Sequence, residues 1–341
     1  MPEILLEVKN LKVQFPTPDG IVKAVDGVSF TVERGKTLGV VGESGSGKSV
    51  SFLTIMGLYN KKNAHVEGEI IFEGRNIVDL PDEEIRKIRG DAMAMIFQDP
   101  MTSLHPMYRV GDQIVEAIRA HRDVSKTEAW TQAVDMLGKV GIPKPEQRAK
   151  GYPHEYSGGM RQRVMIAMAM SLNPDLLIAD EPTTALDVTV QAQIIDLMER
   201  LKEEFNCGVV LITHDLGVIA DVAQDVMVMY AGRQAEMGAR DQIFKQPLHP
   251  YTWGMLESLP LVDQRVERLI PIEGSPPSLI NVPPGCAFHP RCPHRFEPCN
   301  KDIPEFKDRG GGHPEACHLT IEEKRALWTQ RQQQRTTAAV V

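Results

Sequence analysis

The chain has 341 residues and a formal net charge of −8, and it contains no block of Lys or Arg. This acidic balance argues against nucleic acid as the main partner. No apolar run approaches the roughly 18 residues of a membrane span, and residues 1–7 lack the pattern of a signal peptide. We therefore expect a cytosolic protein whose five cysteines are metal ligands or core thiols rather than disulfides.

Two segments with period-two apolar patterns, residues 6–15 and 25–32, open the chain. They predict a pair of antiparallel strands joined by a turn over residues 16–20. Phe15 directly precedes this turn. It is either a core aromatic or a platform under an adenine ring, because aromatic faces stack on bases.

Residues 42–49 match the phosphate-loop pattern G-x-x-x-x-G-K-[ST]. The sequence predicts a buried strand over residues 37–41 before the loop and a helix over residues 50–56 after it. In such a loop, backbone N–H groups face the β-phosphate, Lys48 reaches the β- and γ-oxygens, and the Ser49 hydroxyl ligates Mg²⁺. The predicted ATP contacts here are Gly42, Ser44, Gly45, Ser46, Gly47, Lys48, Ser49 and Val50.

Further along, the sequence predicts a strand over residues 68–72, a short helix over residues 85–89 and a buried strand over residues 93–97. Gln98 ends the last of these. A Gln at such a strand end can reach both Mg²⁺ and the attacking water, although a polar residue without that role is the favoured interpretation of Gln98 taken alone.

Two amphipathic helices are predicted next. The first covers residues 110–122, and the second follows a capping box at Ser125 and Glu128 and ends at Gly141. Their apolar stripes indicate ordinary helix packing.

Residues 156–163 read Tyr-Ser-Gly-Gly-Met-Arg-Gln-Arg, with Ser157 as the N-cap of a helix reaching residue 172. A serine hydroxyl, the bare N–H groups of Gly158 and Gly159 and the helix dipole make an anion site. The signal is weak alone and gains weight from the motif that follows.

That motif is an apolar strand over residues 175–180 that ends in Asp180 and Glu181. Asp180 can hold Mg²⁺ through water, and Glu181 can polarise the water that attacks the γ-phosphate. A further buried strand over residues 208–213 ends at His214, which is placed to contact the γ-phosphate. Cys207 heads this strand and is predicted to be an inert core thiol.

From residue 275 to residue 318 the chain is rich in Pro, Gly, His and Cys. A segment with so few apolar residues needs a staple, and four thiolates suit either a [4Fe–4S] cluster or a structural zinc. Nearby histidines keep zinc open, and unligated thiols are the third alternative. The four residues are Cys286, Cys292, Cys299 and Cys317.

Taken together and in order, these motifs resemble the nucleotide-binding subunit of an ATP-binding cassette (ABC) transporter over residues 3–260. The resemblance implies an α/β fold: a RecA-like core with an antiparallel β subdomain and a helical subdomain near residues 99–173. It also implies that Ser157, Gly158, Gly159 and Gln162 face ATP held by a partner subunit. Asp187 would be a dimer contact.

A narrower resemblance, to the ATPase subunits of dipeptide/oligopeptide importers and the related nickel importers, rests on residues 97–106, residues 246–252 and the four cysteines. It implies a small irregular Cys-rich C-terminal domain over residues 261–320 that carries a [4Fe–4S] cluster. A short helix and a frayed tail would follow over residues 321–341. His105 stands where the family usually has Asn, on the surface that faces the permease, so this departure would bear on pairing and not on chemistry. Phe15 stands in place of the more frequent Tyr and still offers a ring for adenine, without the hydroxyl.

The resemblance also implies partners. One loop and one signature segment cannot close an ABC site, so we expect a heterodimer with a second ATPase, two membrane permease subunits and an extracellular solute-binding protein. The chain would lie at the cytoplasmic face of the membrane. The alternatives are an ABC ATPase for nickel or another solute, and a soluble ABC ATPase acting on nucleic acid or ribosomes.

Overall fold

A computed structural model describes residues 3–184, 186–259 and 271–338. The predicted boundary between residues 260 and 261 lies outside these ranges. Strands build two sheets, and helices cover the larger one. The ten strands are β1 (Ile4–Thr17), β2 (Gly20–Glu33), β3 (Thr37–Val41), β4 (His65–Phe72), β5 (Arg75–Asn76), β6 (Met93–Ile96), β7 (Leu176–Asp180), β8 (Gly208–Ile212), β9 (Asp225–Tyr230) and β10 (Arg233–Ala239).

The helices of the described residues follow the pattern of an α/β protein. They are α1 (Lys48–Ile55), α2 (Asp82–Ile88), α3 (Pro100–Ser103), α4 (Val110–His121), α5 (Lys126–Lys139), α6 (Pro145–Arg148), α7 (Gly158–Met170), α8 (Val188–Phe205), α9 (Leu216–Val222), α10 (Arg240–Lys245), α11 (Pro250–Glu257) and α12 (Ile321–Ala338).

The larger sheet has the order β10-β9-β3-β8-β7-β6, and only β10 pairs antiparallel. Strands β3, β7 and β8 are buried at every residue, which explains their unbroken apolar sequences. Because the carboxyl ends of parallel strands meet at one edge, the residues after β3, β6, β7 and β8 are neighbours. That edge is where the sequence places its motifs.

The smaller sheet is antiparallel, with the order β2-β1-β4-β5, as predicted for its first two strands. It covers one face of the larger sheet, where Val40, Ile178 and Val210 join one buried cluster. The alternate residues Val41 and Leu177 point to the other face, into a second cluster with the helices. The central strands thus serve two cores.

Between β6 and β7 the chain is helical, from α3 to α7, as expected near residues 99–173. The capping box of α5 is present, because Ser125 and Glu128 exchange side-chain and backbone hydrogen bonds. None of the helices in the described ranges is both long enough and apolar enough to cross a membrane.

We call residues 271–338 the C-terminal segment. Before α12 its only helix is one 3₁₀ turn, His289–Arg291. The predicted separate Cys-rich domain is not confirmed, because Phe288, Cys317 and Leu319 are buried in the same cluster as the main-sheet residues. The irregular chain contributes side chains to the existing core and builds no core of its own.

The predicted frayed tail from residue 332 differs from the structure, in which α12 continues to Ala338. Residues 339–341 lie outside the described ranges. Gln and Arg favour helix, and the helix is anchored: the Trp328 indole N–H donates to the Lys245 carbonyl at 3.0 Å and its ring stacks on Trp253.

Candidate nucleotide-binding site

The loop of residues 42–47 connects β3 to α1. Gly42 has φ 150°, and a Cβ there would lie 2.2 Å from the Met229 carbonyl oxygen, so no larger residue fits. Ser44 and Gly45 are exposed while Ser46 is buried. The strand–loop–helix context that the sequence predicts is therefore present.

Lys48 is buried at the start of α1, and its ammonium lies inside the curl of the loop. Nζ donates to the Gly42 carbonyl at 2.7 Å and the Glu43 carbonyl at 3.0 Å. Burial lowers the pKa of Lys48, an effect that the nearby Glu181 and Asp180 oppose. Phosphate oxygens would compete for this ammonium with the loop carbonyls.

Ser49 and Asp180 come together across the edge of the sheet. The Ser49 hydroxyl donates to Asp180 Oδ1 at 3.1 Å. Burial raises the pKa of Asp180, because a charge in this position is poorly solvated. A carboxylate and a hydroxyl are ligands that Mg²⁺ accepts, and a cation here would relieve that penalty.

Gln98 does not join this pair. Its side-chain amide donates instead to Glu181 Oε2 at 2.8 Å. The structure therefore places Gln98 beside the predicted base and not beside Ser49, the other Mg²⁺ ligand predicted with it.

Glu181 is the centre of a polar cluster. Besides Gln98, the Thr184 hydroxyl donates to Oε2 at 2.9 Å, and His214 Nδ1 lies 3.3 Å from Oε1. Its backbone has φ 48°, a left-handed conformation that costs a non-glycine residue about 1–2 kcal/mol. The two predicted catalytic residues, Glu181 and His214, are thus in contact, and sequence reasoning missed Thr184.

The signature residues divide into exposed and buried. Ser157 caps α7, accepting the Met160 N–H at 3.4 Å, and Ser157 and Gly158 are exposed while Gly159 is half-buried. Gln162 differs from the prediction that it faces a partner's ATP: it is only 2% exposed, and its Nε2 has no hydrogen-bond partner. Gln162 lies one helical turn after Gly158 on the same face of α7, so it is the chain packed over this part of the helix that buries it.

Asp187 and Phe15 lie at the periphery. Asp187 is exposed and caps α8 by accepting the Val190 N–H at 3.0 Å. Phe15 is half-buried, pairs with Val22 across the β1–β2 hairpin and packs against the core beneath the smaller sheet. Val50 is half-buried in the first turn of α1 and packs on the same core.

The four C-terminal cysteines are free thiols. The Cys286 N–H donates to the Cys299 carbonyl at 2.8 Å. Burial, and to a lesser degree the neighbouring thiols, raises the pKa of Cys286, of Cys292 to about 11 and of Cys317 to about 12. Cys207, at the start of β8, is buried with a raised pKa, consistent with an inert core thiol.

No group of three or more His, Cys, Asp or Glu side chains in the described ranges is positioned to hold a metal ion. The geometry therefore does not support the predicted [4Fe–4S] cluster or its zinc alternative.

Comparison with known proteins gives two family matches. Residues 25–184 match the ABC transporter family, and residues 235–299 match the oligopeptide/dipeptide transporter C-terminal region. The oligopeptide transport ATP-binding protein OppD of Salmonella typhimurium is 51% identical, over 94% of this chain and 95% of its own. The dipeptide transport ATP-binding protein DppD of Bacillus subtilis is also 51% identical, over 93% and 95%.

This chain belongs to the family of peptide-transport ATP-binding proteins. Among solved structures it is similar to the ATP-binding cassette MJ0796 in a dimeric state bound to ADP and Pi, with a TM-score of 0.62 at 28% identity. That likeness covers 69% of this chain and 99% of the cassette. The family member is an ATPase coupled to transport, and the comparisons do not favour the nickel or nucleic-acid alternatives.

Proposed function

We propose that this family member binds and hydrolyses ATP to power the import of oligopeptides or dipeptides. The contact of Glu181 with Gln98 and His214, one residue beyond the Ser49–Asp180 pair, is the observation that carries the hydrolytic role. The match of residues 235–299 to the peptide-transporter C-terminal region supports the substrate class.

In the proposed reaction, water attacks the γ-phosphate in line with the leaving oxygen. Glu181 orients or deprotonates that water, and His214 steadies the γ-phosphate. Lys48 offsets negative charge that develops on the transferred group. Ser49 and Asp180 would hold Mg²⁺, with Gln98 as the third ligand predicted from the sequence. The ion would supply further charge stabilisation.

A second ATPase subunit completes the site in this proposal. Ser157 and Gly158 are exposed at the start of α7, where the helix dipole favours an anion, and Asp187 is exposed nearby at the start of α8. Ser157 and Gly158 would contact the ATP held by the partner, and Asp187 would contact the partner's surface. The partner would be a different ATPase, so that the two form a heterodimer. Binding of ATP would favour the closed dimer over the open one and so shift two permease conformations.

The membrane-facing contact in this proposal is the surface that follows β6. Phe97, Met101, Met107 and Tyr108 are exposed large apolar residues there. Two permease subunits would bind this surface and hold the chain at the cytoplasmic side of the membrane, with an extracellular solute-binding protein delivering the peptide.

The metal content of the C-terminal segment is part of the proposal. Four free thiols, two of them half-buried and two buried, lie within one irregular stretch, and four thiols are the donor set of a [4Fe–4S] cluster. Iron, acid-labile sulfide and zinc should be measured on the chain purified without oxygen. About four irons per chain with matching sulfide, both lost in Cys292→Ser, would support the cluster. A chain that contains no iron and no zinc would exclude it.

ATP hydrolysis in the reconstituted importer tests the function. The chain, its partner ATPase, the permeases and the binding protein should show hydrolysis that rises when di- and oligopeptides are added. Nickel salts should not replace the peptides. Hydrolysis that ignores peptide but responds to nickel, or salt-sensitive binding of the chain to nucleic acid, would contradict the proposal.

A further inference from the structure

Glu43, the first variable residue of the phosphate loop, is held from the far end of the chain. Arg291 grips its carboxylate with two hydrogen bonds, Nη1 to Oε2 at 2.6 Å and Nη2 to Oε1 at 3.0 Å. The Arg291 side chain is only 6% exposed. A bidentate pair of this kind fixes both direction and distance.

The guanidinium has no freedom left to pair elsewhere. Its Nε donates to the Glu273 carbonyl at 2.9 Å, and Nη2 also lies 3.3 Å from the Ile272 and Gly274 carbonyls. Nη1 is 3.3 Å from the Tyr230 hydroxyl. Arg291 therefore connects the C-terminal segment to the phosphate loop with its side chain held in one orientation.

The backbone of Glu43 is anchored from the same side. Its N–H donates to the Tyr251 hydroxyl at 2.8 Å, and Tyr251 is fully buried in α11. The Glu43 carbonyl accepts from Lys48 Nζ at 3.0 Å. One residue, Glu43, thus links Arg291 and Tyr251 to the lysine that meets the phosphates.

The C-terminal segment also lines the space beside the loop. Residues 276–280 face Ser44, Gly45 and Val22 across a cavity of about 480 Å³. The Lys23 N–H donates to the Leu279 carbonyl at 3.1 Å, which ties this stretch to the β1–β2 hairpin. The wall of the loop is therefore built partly from residues that lie beyond the ABC transporter family match.

We propose that Arg291 is a positioning residue for ATP binding, which acts by orienting and neutralising Glu43 in the phosphate loop. Without Arg291, the Glu43 carboxylate would lie unpaired close to the phosphates and repel them. The inference rests on the proposed function only in that the ligand of the loop is ATP.

Titration of the purified full-length chain with a fluorescent ATP analogue and Mg²⁺ tests this role. Arg291→Ala should raise the Kd about tenfold or more, because it leaves the Glu43 carboxylate unpaired beside the phosphates. In the assembled importer the same variant should raise KM for ATP more than it lowers kcat.

Arg331→Ala is the matched control. Arg331 lies in the same C-terminal segment and donates two similar hydrogen bonds to the Glu257 carboxylate of α11. In the described part of the chain, it has no recorded hydrogen bond to the phosphate loop. Its loss should lower thermal stability and leave the Kd for ATP unchanged. Equal rises in Kd for the two variants would overturn the proposal, since they would indicate general loosening.

Glu43→Gln separates charge from structure. If Arg291 acts through the carboxylate, Arg291→Ala should raise the Kd much less in the Glu43→Gln background than in the natural one. An identical effect in both backgrounds would refute the proposed route. Wild-type chain that fails to bind the analogue would instead refute the proposed function.

Arg291→Lys covers the case in which the alanine variant does not fold. Lysine keeps the charge but not the planar fork, so the Kd of this variant should be higher than that of wild type. A wild-type Kd for Arg291→Lys would contradict the positioning role of the bidentate pair.

Discussion

The carboxyl edge of the main sheet and the C-terminal segment both depend on charged side chains, but they use them differently. At the edge, His214 lies 3.3 Å from Glu181, the Ser49 hydroxyl donates to Asp180, and the charges of Asp180 and Glu181 act on the nearby Lys48. In the C-terminal segment some charges are instead paired and buried. Lys324 and Glu315 form an ion pair at 2.5 Å with both side chains fully buried.

This difference separates reactivity from stability. Charges that face a ligand site can change partners when a ligand binds, whereas charges sealed inside irregular chain fix that chain in one conformation. We therefore expect substitutions at the edge to reduce turnover with little effect on folding. Substitutions in the buried ion pairs of the C-terminal segment that do not contact the phosphate loop should do the reverse.

Of these substitutions, Glu181→Gln at the carboxyl edge of the main sheet should have the largest effect. Turnover in the assembled importer should fall by about 10²–10⁴, because the amide cannot accept the water proton. ATP binding and the free energy of unfolding should stay near wild type. Glu204→Gln, which alters an exposed pair with Lys139, is the control and should hydrolyse ATP normally. Near-normal turnover in Glu181→Gln would remove Glu181 from the mechanism.

Lys324→Met should give the opposite result. Among the described residues it leaves the buried Glu315 carboxylate with Arg309 as its one remaining ion-pair partner, at 2.9 Å, and it should lower the free energy of unfolding by about 3 kcal/mol. Chemical denaturation measures this. Lys301→Met removes an exposed pair with Glu297 and should change stability by less than about 0.5 kcal/mol. Equal effects would show that burial of the pair has no special role.

His249 should give a smaller effect that depends on pH. Burial lowers its pKa to about 3, helped by the charge of Lys324 and opposed by a hydrogen bond to the Ala316 backbone. The unfolded imidazole gains a proton near pH 6.5, whereas the folded one stays neutral, so stability falls as pH drops below 6.5. The loss reaches about 2 kcal/mol at pH 5.

Denaturation at pH 8 and pH 5 checks this prediction. His249→Asn keeps an acceptor for the Tyr251 N–H but cannot titrate, so it should lose about 2 kcal/mol less than wild type over this interval. His65→Asn, at an exposed position, should keep the wild-type pH dependence. A steep loss in His249→Asn would assign the pH effect to other groups.

The same contrast explains what the sequence could predict. The phosphate loop, the strand ends and the helix caps are each encoded within a few consecutive residues. Local pattern therefore predicted β3, α1, β7 and the positions of Glu181 and His214 at strand ends. Their meeting required only that parallel strands end at one edge.

The contacts that sequence reasoning missed join residues far apart in the chain. Arg291 precedes Cys292 and carries no motif, and Glu43 occupies a variable position of the phosphate loop. Their 248-residue separation is invisible to a periodic pattern. Gln162 illustrates a different limit, because its motif position suggested exposure whereas the packing of the folded chain buries it.

The positions of the tryptophans make the docking of α12 observable by fluorescence. The chain has three, and two of them, Trp253 and Trp328, stack with ring centroids 6.3 Å apart. Both rings are buried where α12 covers α11. Intrinsic fluorescence of the chain will therefore be dominated by this pair. Its emission should shift to longer wavelength when the last helix undocks, which provides an optical signal for that event.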